Sequence, residues 1–126
     1  MVLKGVFFME MKSNFRRGSV ELLVLHLLNQ KDYYGYELTQ IMKHQTDGVI
    51  DIPVGSLYPA LYKLIDNGYI SDYKKQVGKR LVRVYYHLEE SGKERLAVLL
   101  NDYYQTNLAI QNILNYIGDE NGNESK

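Results

Sequence analysis

Two short runs, "YISDYKK" (69–75) and "LVRVYYHL" (81–88), are rich in β-branched and aromatic residues, while every other periodic stretch of the chain reads as helix. The segment between the two runs holds Gly78 and a cluster of cations, the composition of a turn. This pattern predicts one antiparallel β-hairpin, and it narrows the fold class to mainly α with a small β-hairpin.

Three helical segments precede the hairpin. Residues 19–29, "SVELLVLHLLN", are apolar almost all round, at Val20, Leu22, Leu23, Val24, Leu25, Leu27 and Leu28. Such density predicts a helix touched on more than one side, with Ser19 as its N-cap. Residues 34–45 are amphipathic, with Tyr34, Leu38, Ile41 and Met42 at helical spacing, and a loop holding Gly48 and Pro53 closes them off. In the third segment Leu57, Leu61, Leu64 and Ile65 recur at i, i+4, i+7 and i+8, and Asn67-Gly68 ends the stripe. After the hairpin, "EESGKERLAVLLNDYYQTNLAIQNILNYI" sustains one helical period over roughly 25 residues or more. Three short helices, a hairpin and a long helix are the layout of a winged helix-turn-helix. The expected division is an N-terminal arm (1–14), a winged helix-turn-helix domain (15–88), a long dimerisation helix (89–118) and a flexible acidic tail (119–126).

Composition removes several alternatives. The chain has 126 residues and no cysteine, so it is long enough for a core but has neither disulfides nor thiolate metal sites. No apolar run approaches the ~20 residues of a membrane span. The start, "MVLKGVFFMEMKSNF", carries Glu10 and lacks a small-residue cleavage site, so it reads as an arm and not a signal peptide. A cytoplasmic location is expected.

The third helix carries the most specific local pattern. With Ser56 as N-cap, Pro59 falls in the first turn, where its missing N–H costs little. Opposite the leucine stripe the segment then presents Ser56, Tyr58, Pro59, Tyr62 and Lys63. A recognition helix meets the major groove N-terminal end first, so these residues would face DNA. Serine and tyrosine hydroxyls bond phosphate oxygens, and a proline can lie against a thymine methyl. Taken alone, Tyr58 and Tyr62 read equally well as half-buried packing residues.

Net charge is zero, but it is unevenly spread: residues 1–88 hold twelve Lys/Arg against eight Asp/Glu, and residues 89–126 hold three against seven. Lys74, Lys75, Lys79, Arg80 and Arg83 form the steepest cluster, with no acid among them. As a wing they would reach phosphates or the minor groove; as an isolated run they would be a solvated basic turn. Arg16 and Arg17 read as surface charges or as a further phosphate contact.

In the last helix Leu96, Tyr103, Ile110 and Ile117 are seven apart, with Leu99 and Ile113 three residues after two of them. This is an a/d seam interrupted by Thr106, with Leu100, Tyr104 and Leu108 alongside it. One stripe can cover the chain's own domain and the other a second copy, which favours a homodimer over a helix folded back on a single core.

The blocks "GYEL" (35–38), "GSLYPALYKL" (55–64) and "YYHLEESGKERL" (85–96), in this order, resemble the PadR-type transcriptional regulators, in the compact subgroup with a single C-terminal helix. The resemblance runs from about residue 15 to about residue 100. It implies a dimeric winged-helix repressor of bacteria or archaea, often autoregulatory, whose third helix and wing contact DNA. Those contacts map onto Ser56, Tyr58, Pro59, Tyr62, Lys63, Lys74, Lys79, Arg80 and Arg83. The wing departs from the Gly-Arg-Pro-Arg-Lys run of many relatives, since Leu81 replaces the proline and Val84 a cation. Some compact relatives bind planar aromatic drugs between subunits through tryptophan, which this chain lacks. An effector would instead meet Tyr103, Tyr104 or the first helix.

His26, His44 and His87 are not spaced as metal ligands, and phosphate loops, nucleophile elbows and paired catalytic carboxylates are all missing. No enzyme activity, cofactor or metal is expected. The expected function is sequence-specific DNA binding by a homodimeric repressor at a pseudo-palindromic operator, with release by a small aromatic effector as a further option. The alternative is a winged-helix module that binds protein through the tyrosine-bearing face. Steep salt dependence separates the two.

Overall fold

The computed structural model describes residues 19–119. The expected N-terminal arm, Arg16 and Arg17, and the tail from residue 120 lie outside the described residues. The elements are α1 (Ser19–Leu28), β1 (Tyr33–Tyr34), α2 (Gly35–Gln45), α3 (Val54–Asp66), β2 (Ile70–Gln76), β3 (Val82–Leu88) and α4 (Glu90–Leu114). The described chain falls into two compact units, the first ending at Leu96 and the second beginning at Ala97.

In the first unit the core is built from the stripes that the helical periods mark. Val24, Leu25, Leu38, Leu57 and Leu61 have no exposed surface, and Met42, Leu64, Ile70, Tyr86 and Leu88 join them as buried residues. Each such side chain contributes roughly 1.5–3 kcal/mol of burial. Ser19, expected as a cap, is already helical in α1. Thr39, the buried polar residue, donates its hydroxyl to the Tyr36 carbonyl at 2.7 Å and so carries no desolvation penalty.

The hairpin forms as expected, shifted by one residue: Ile70↔Leu88 through Gln76↔Val82 pair antiparallel. Its outer edge was not foreseen. Tyr33 and Tyr34 pair with Tyr86 and Tyr85, giving a three-stranded sheet in the order β1-β3-β2. Residue 34 therefore ends a strand and caps α2, where its backbone N–H donates to the Glu37 carboxylate at 3.2 Å.

Helix α3 begins two residues before Ser56. Pro53 is the N-cap, and its carbonyl accepts from the N–H groups of Ser56 (2.9 Å) and Leu57 (3.1 Å). The proline at 53 starts the helix because a cap position needs no N–H and its carbonyl is free to accept. Pro59 consequently lies in the second turn, not the first, and removes the bond to the Gly55 carbonyl; Gly55 is exposed, so water can serve that group instead. At the other end Gly68 N–H bonds Ile65 O (2.9 Å) and Tyr69 N–H bonds Leu64 O (3.0 Å), the paired bonds of a Schellman stop.

The start of α4 is fastened within the first unit, so the division falls beyond residue 88. A Cβ at Gly92 would overlap the Tyr69 carbonyl oxygen and the Leu88 side chain, which makes this a contact only glycine permits. Leu96 is buried, and Arg95 forms a two-point ion pair with Glu21 of α1, both bonds at 3.2 Å. In the second unit α4 ends at Leu114, short of residue 118, and is followed by a turn in which Tyr116 N–H bonds Ile113 O. Ile117 therefore lies outside the helix, and Leu96 is buried in the first unit. Ile110 and Ile113 remain on the helix as exposed apolar residues, and Tyr103 is half-exposed with them. Leu99 is half-buried.

Candidate nucleic-acid interface

With its leucine stripe buried, α3 turns Ser56, Tyr58, Pro59, Tyr62 and Lys63 outward, and all five are exposed. The i, i+4 spacing brings the rings of Tyr58 and Tyr62 into a stack, with centroids 6.1 Å apart and planes 13° from parallel. Tyr58 is 38% exposed and Tyr62 57%, so the pair is neither core nor freely solvated. One side of the Tyr58 ring rests on the start of α2, where the missing side chain of Gly35 makes room: a Cβ there would stand 3.3 Å from Tyr58 Cε1. Tyr86 of β3 is buried and near enough to the pair to feel its charge. Burial first, then the neighbouring Tyr58, Tyr62 and Asp72, push its hydroxyl up to about 12. Tyr58 thus packs along one side against α2, while Tyr62 stacks on Tyr58 and shows more of its ring to solvent.

The five cations of the hairpin do not form one patch. Lys79 and Arg80 are exposed in the turn. That turn is closed by the Val77 N–H to Leu81 O bond at 2.9 Å and by Gln76 Nε2 donating to Gly78 O at 2.9 Å. Along the strands, side chains alternate between faces. Lys74 pairs with Val84 on the face that carries buried Ile70, Tyr86 and Leu88, whereas Lys75 pairs with Arg83 on the opposite face. There the Arg83 guanidinium lies 4.4 Å from the centroid of the Tyr34 ring, and Lys75 Nζ 5.4 Å from that of Tyr85. Arg83 is half-buried where it lies over Tyr34.

Tyr36 and Val82 escape the sequence reading, which marks Leu81 only as a departure from the wing of many relatives. Tyr36, 56% exposed, follows Gly35 in the first turn of α2, and Leu81 and Val82 expose apolar side chains at the hairpin turn. Nothing in local periodicity marks them, because their neighbours are set by tertiary packing.

Among the described residues no group of three or more His, Cys, Asp or Glu could hold an ion. His87 pairs with Asp32 at 2.8 Å, and His26 lies 3.4 Å from the Gln30 side chain in the turn after α1. Among the described residues no helix is long and apolar enough to cross a membrane.

Comparison with known proteins agrees with this geometry. A family profile described as the transcriptional regulator PadR-like family matches residues 24–98. The negative transcriptional regulator PadR of Bacillus subtilis is 32% identical over 73 residues, covering 58% of this chain and 40% of that protein. The chain thus spans well under half the length of that relative. A solved structure of a transcriptional regulator from Clostridium thermocellum superposes with a TM-score of 0.72 at 30% identity, covering 79% of this chain and 96% of the other. The structure of Bacillus subtilis PadR in complex with operator DNA gives a TM-score of 0.62 at 28% identity, covering 67% of this chain and 46% of that one.

Proposed function

The chain belongs to the PadR-like family of transcriptional regulators, and from that premise we propose that it is a homodimeric repressor that binds a pseudo-palindromic operator. The observation that carries the reading is the stacked Tyr58–Tyr62 pair on the exposed face of α3, in the same unit as the cationic turn at Lys79 and Arg80. In this reading α3 enters the major groove. Ser56 and the two tyrosine hydroxyls bond phosphates or base edges, Pro59 offers an apolar surface to a thymine methyl, and Lys63 neutralises backbone charge. Lys79 and Arg80 reach the flanking backbone or minor groove, with Lys74 on the helix-side face in support. The likeness to a regulator bound to its operator is the outside support.

Dimerisation is proposed through the second unit, where Tyr103, Ile110 and Ile113 are exposed along α4 with Leu108 and Leu114. Two copies would set recognition helices in successive major grooves, ~34–36 Å apart. An effector, where one acts, would meet Tyr103 and Tyr104 or the groove of about 540 Å³ lined by Leu23, Leu27, Ile41, Met42 and Ile50.

A gel shift with the DNA immediately upstream of the chain's own gene tests the reading. A discrete complex that resists scrambled competitor DNA is expected. Equal competition by scrambled DNA would contradict operator recognition.

A further inference from the structure

Asp32 has no part in the surface just described, yet both long strands of the hairpin bond to it. The Tyr73 hydroxyl on β2 donates to Asp32 Oδ2 at 2.7 Å, and His87 Nδ1 on β3 stands 2.8 Å from Asp32 Oδ1. An ionised carboxylate only accepts, so the His87 nitrogen carries the hydrogen. Burial pushes the Asp32 carboxyl up, but the bonds from His87 and Tyr73 outweigh it and hold the group below its ordinary value.

The contacts continue toward the cations. The Tyr73 ring stacks on Tyr85 at 5.8 Å, and Tyr85 meets Tyr34 edge-on at 5.6 Å. Lys75 and Arg83 lie over Tyr85 and Tyr34. Asp32 itself sits in the connection between α1 and β1, on the helical body and not on the hairpin. On its β3 side the hairpin pairs, among the described residues, with the two-residue strand β1. A two-stranded ribbon twists easily, so two further side-chain ties to the body restrict the angle of its tip.

We infer that Asp32 is a positioning residue for the wing, anchoring β2 and β3 to the helical body so that Lys79 and Arg80 are held in register with α3. This rests on the DNA-binding reading proposed above. A second role for the carboxylate, as plain negative charge beside a phosphate-binding surface, has the opposite sign: its removal would tighten DNA binding.

The test uses Asp32→Ala and Tyr73→Phe in the full chain, with operator binding measured at constant salt. Tyr73→Phe keeps the ring stack and every charge while deleting one tie. Asp32→Ala is expected to weaken binding about tenfold and Tyr73→Phe about threefold. Amide hydrogen exchange in β2 and β3 should quicken in both. In a Lys79→Ala/Arg80→Ala background Asp32→Ala should change affinity by less than about twofold, because the groups it positions are gone. Tighter or unchanged binding by both single variants overturns the proposal, as does an equal loss in the two backgrounds. If Asp32→Ala fails to fold, Tyr73→Phe carries the same comparison. Should Lys79→Ala/Arg80→Ala bind DNA like the wild type, the wing reading falls; unchanged exchange in the hairpin would then separately overturn the anchor.

Discussion

Helices α3 and α4 both display tyrosine pairs, in different company. On α3 the Tyr58 and Tyr62 rings are stacked at 13°, beside the exposed Ser56, Pro59 and Lys63. On α4 Tyr103 and Tyr104 meet at 68°, and the large apolar side chains exposed after them are Leu108, Ile110, Ile113 and Leu114, interspersed with exposed polar residues such as Gln105, Asn107 and Gln111. Polar and cationic neighbours suit a wet, charged partner such as DNA; recurrent aliphatic neighbours suit a second protein surface. Exposure of a tyrosine therefore does not identify its partner. The residues around it do.

The largest effect that would break this contrast lies on α4. Ile110→Lys is expected to give monomers on sizing chromatography and to weaken operator binding by about 10²–10⁴, the avidity lost when two linked half-sites become one. A dimer of wild-type stability would move the interface elsewhere. Next comes the turn of the hairpin: Lys79→Ala with Arg80→Ala should leave the dimer intact, lower affinity for all DNA sequences and shallow the salt slope by about two. Tyr62→Ala on α3 is a sharper and smaller probe. It should cost about 1–3 kcal/mol at the operator and little on random DNA, in contrast to Tyr104→Ala, which should leave DNA contacts alone.

The smallest effect concerns the buried tyrosine near the stack. Tyr86 ionises near 10.0 when unfolded but only at about 12 in place, so its contribution to stability is complete below pH 10 and is lost as pH rises through 12. Tyr86→Phe should flatten stability between those two values, as read by denaturant unfolding across an alkaline pH series. A curve that parallels the wild type would mean that the hydroxyl is not held by burial.

Much of this was readable from local pattern. The leucine stripe of α3, its stop at Asn67-Gly68 and the hairpin all follow from periodicity and turn chemistry, which act over a few residues. What escaped acts at longer range or on too few residues. Strand β1 is two residues long and exists because β3 offers it an edge. The start of α3 was misplaced because Ser56 is a good cap by type, while Pro53 supplies the carbonyl that the first turn uses. The basic run of the hairpin was counted as one cluster, although a period of two already separates Lys74 from Lys75 and Arg83. Asp32 offered no signal, since Tyr73 and His87 meet it only through the sheet.

The claim that α3 and the wing form a DNA-binding surface is tested most directly by titrating operator DNA with the full chain across a salt series. Affinity should fall linearly in log–log form between about 50 and about 200 mM salt, with a slope near −0.9 for each phosphate neutralised. A complex whose affinity is indifferent to salt over that range would contradict it.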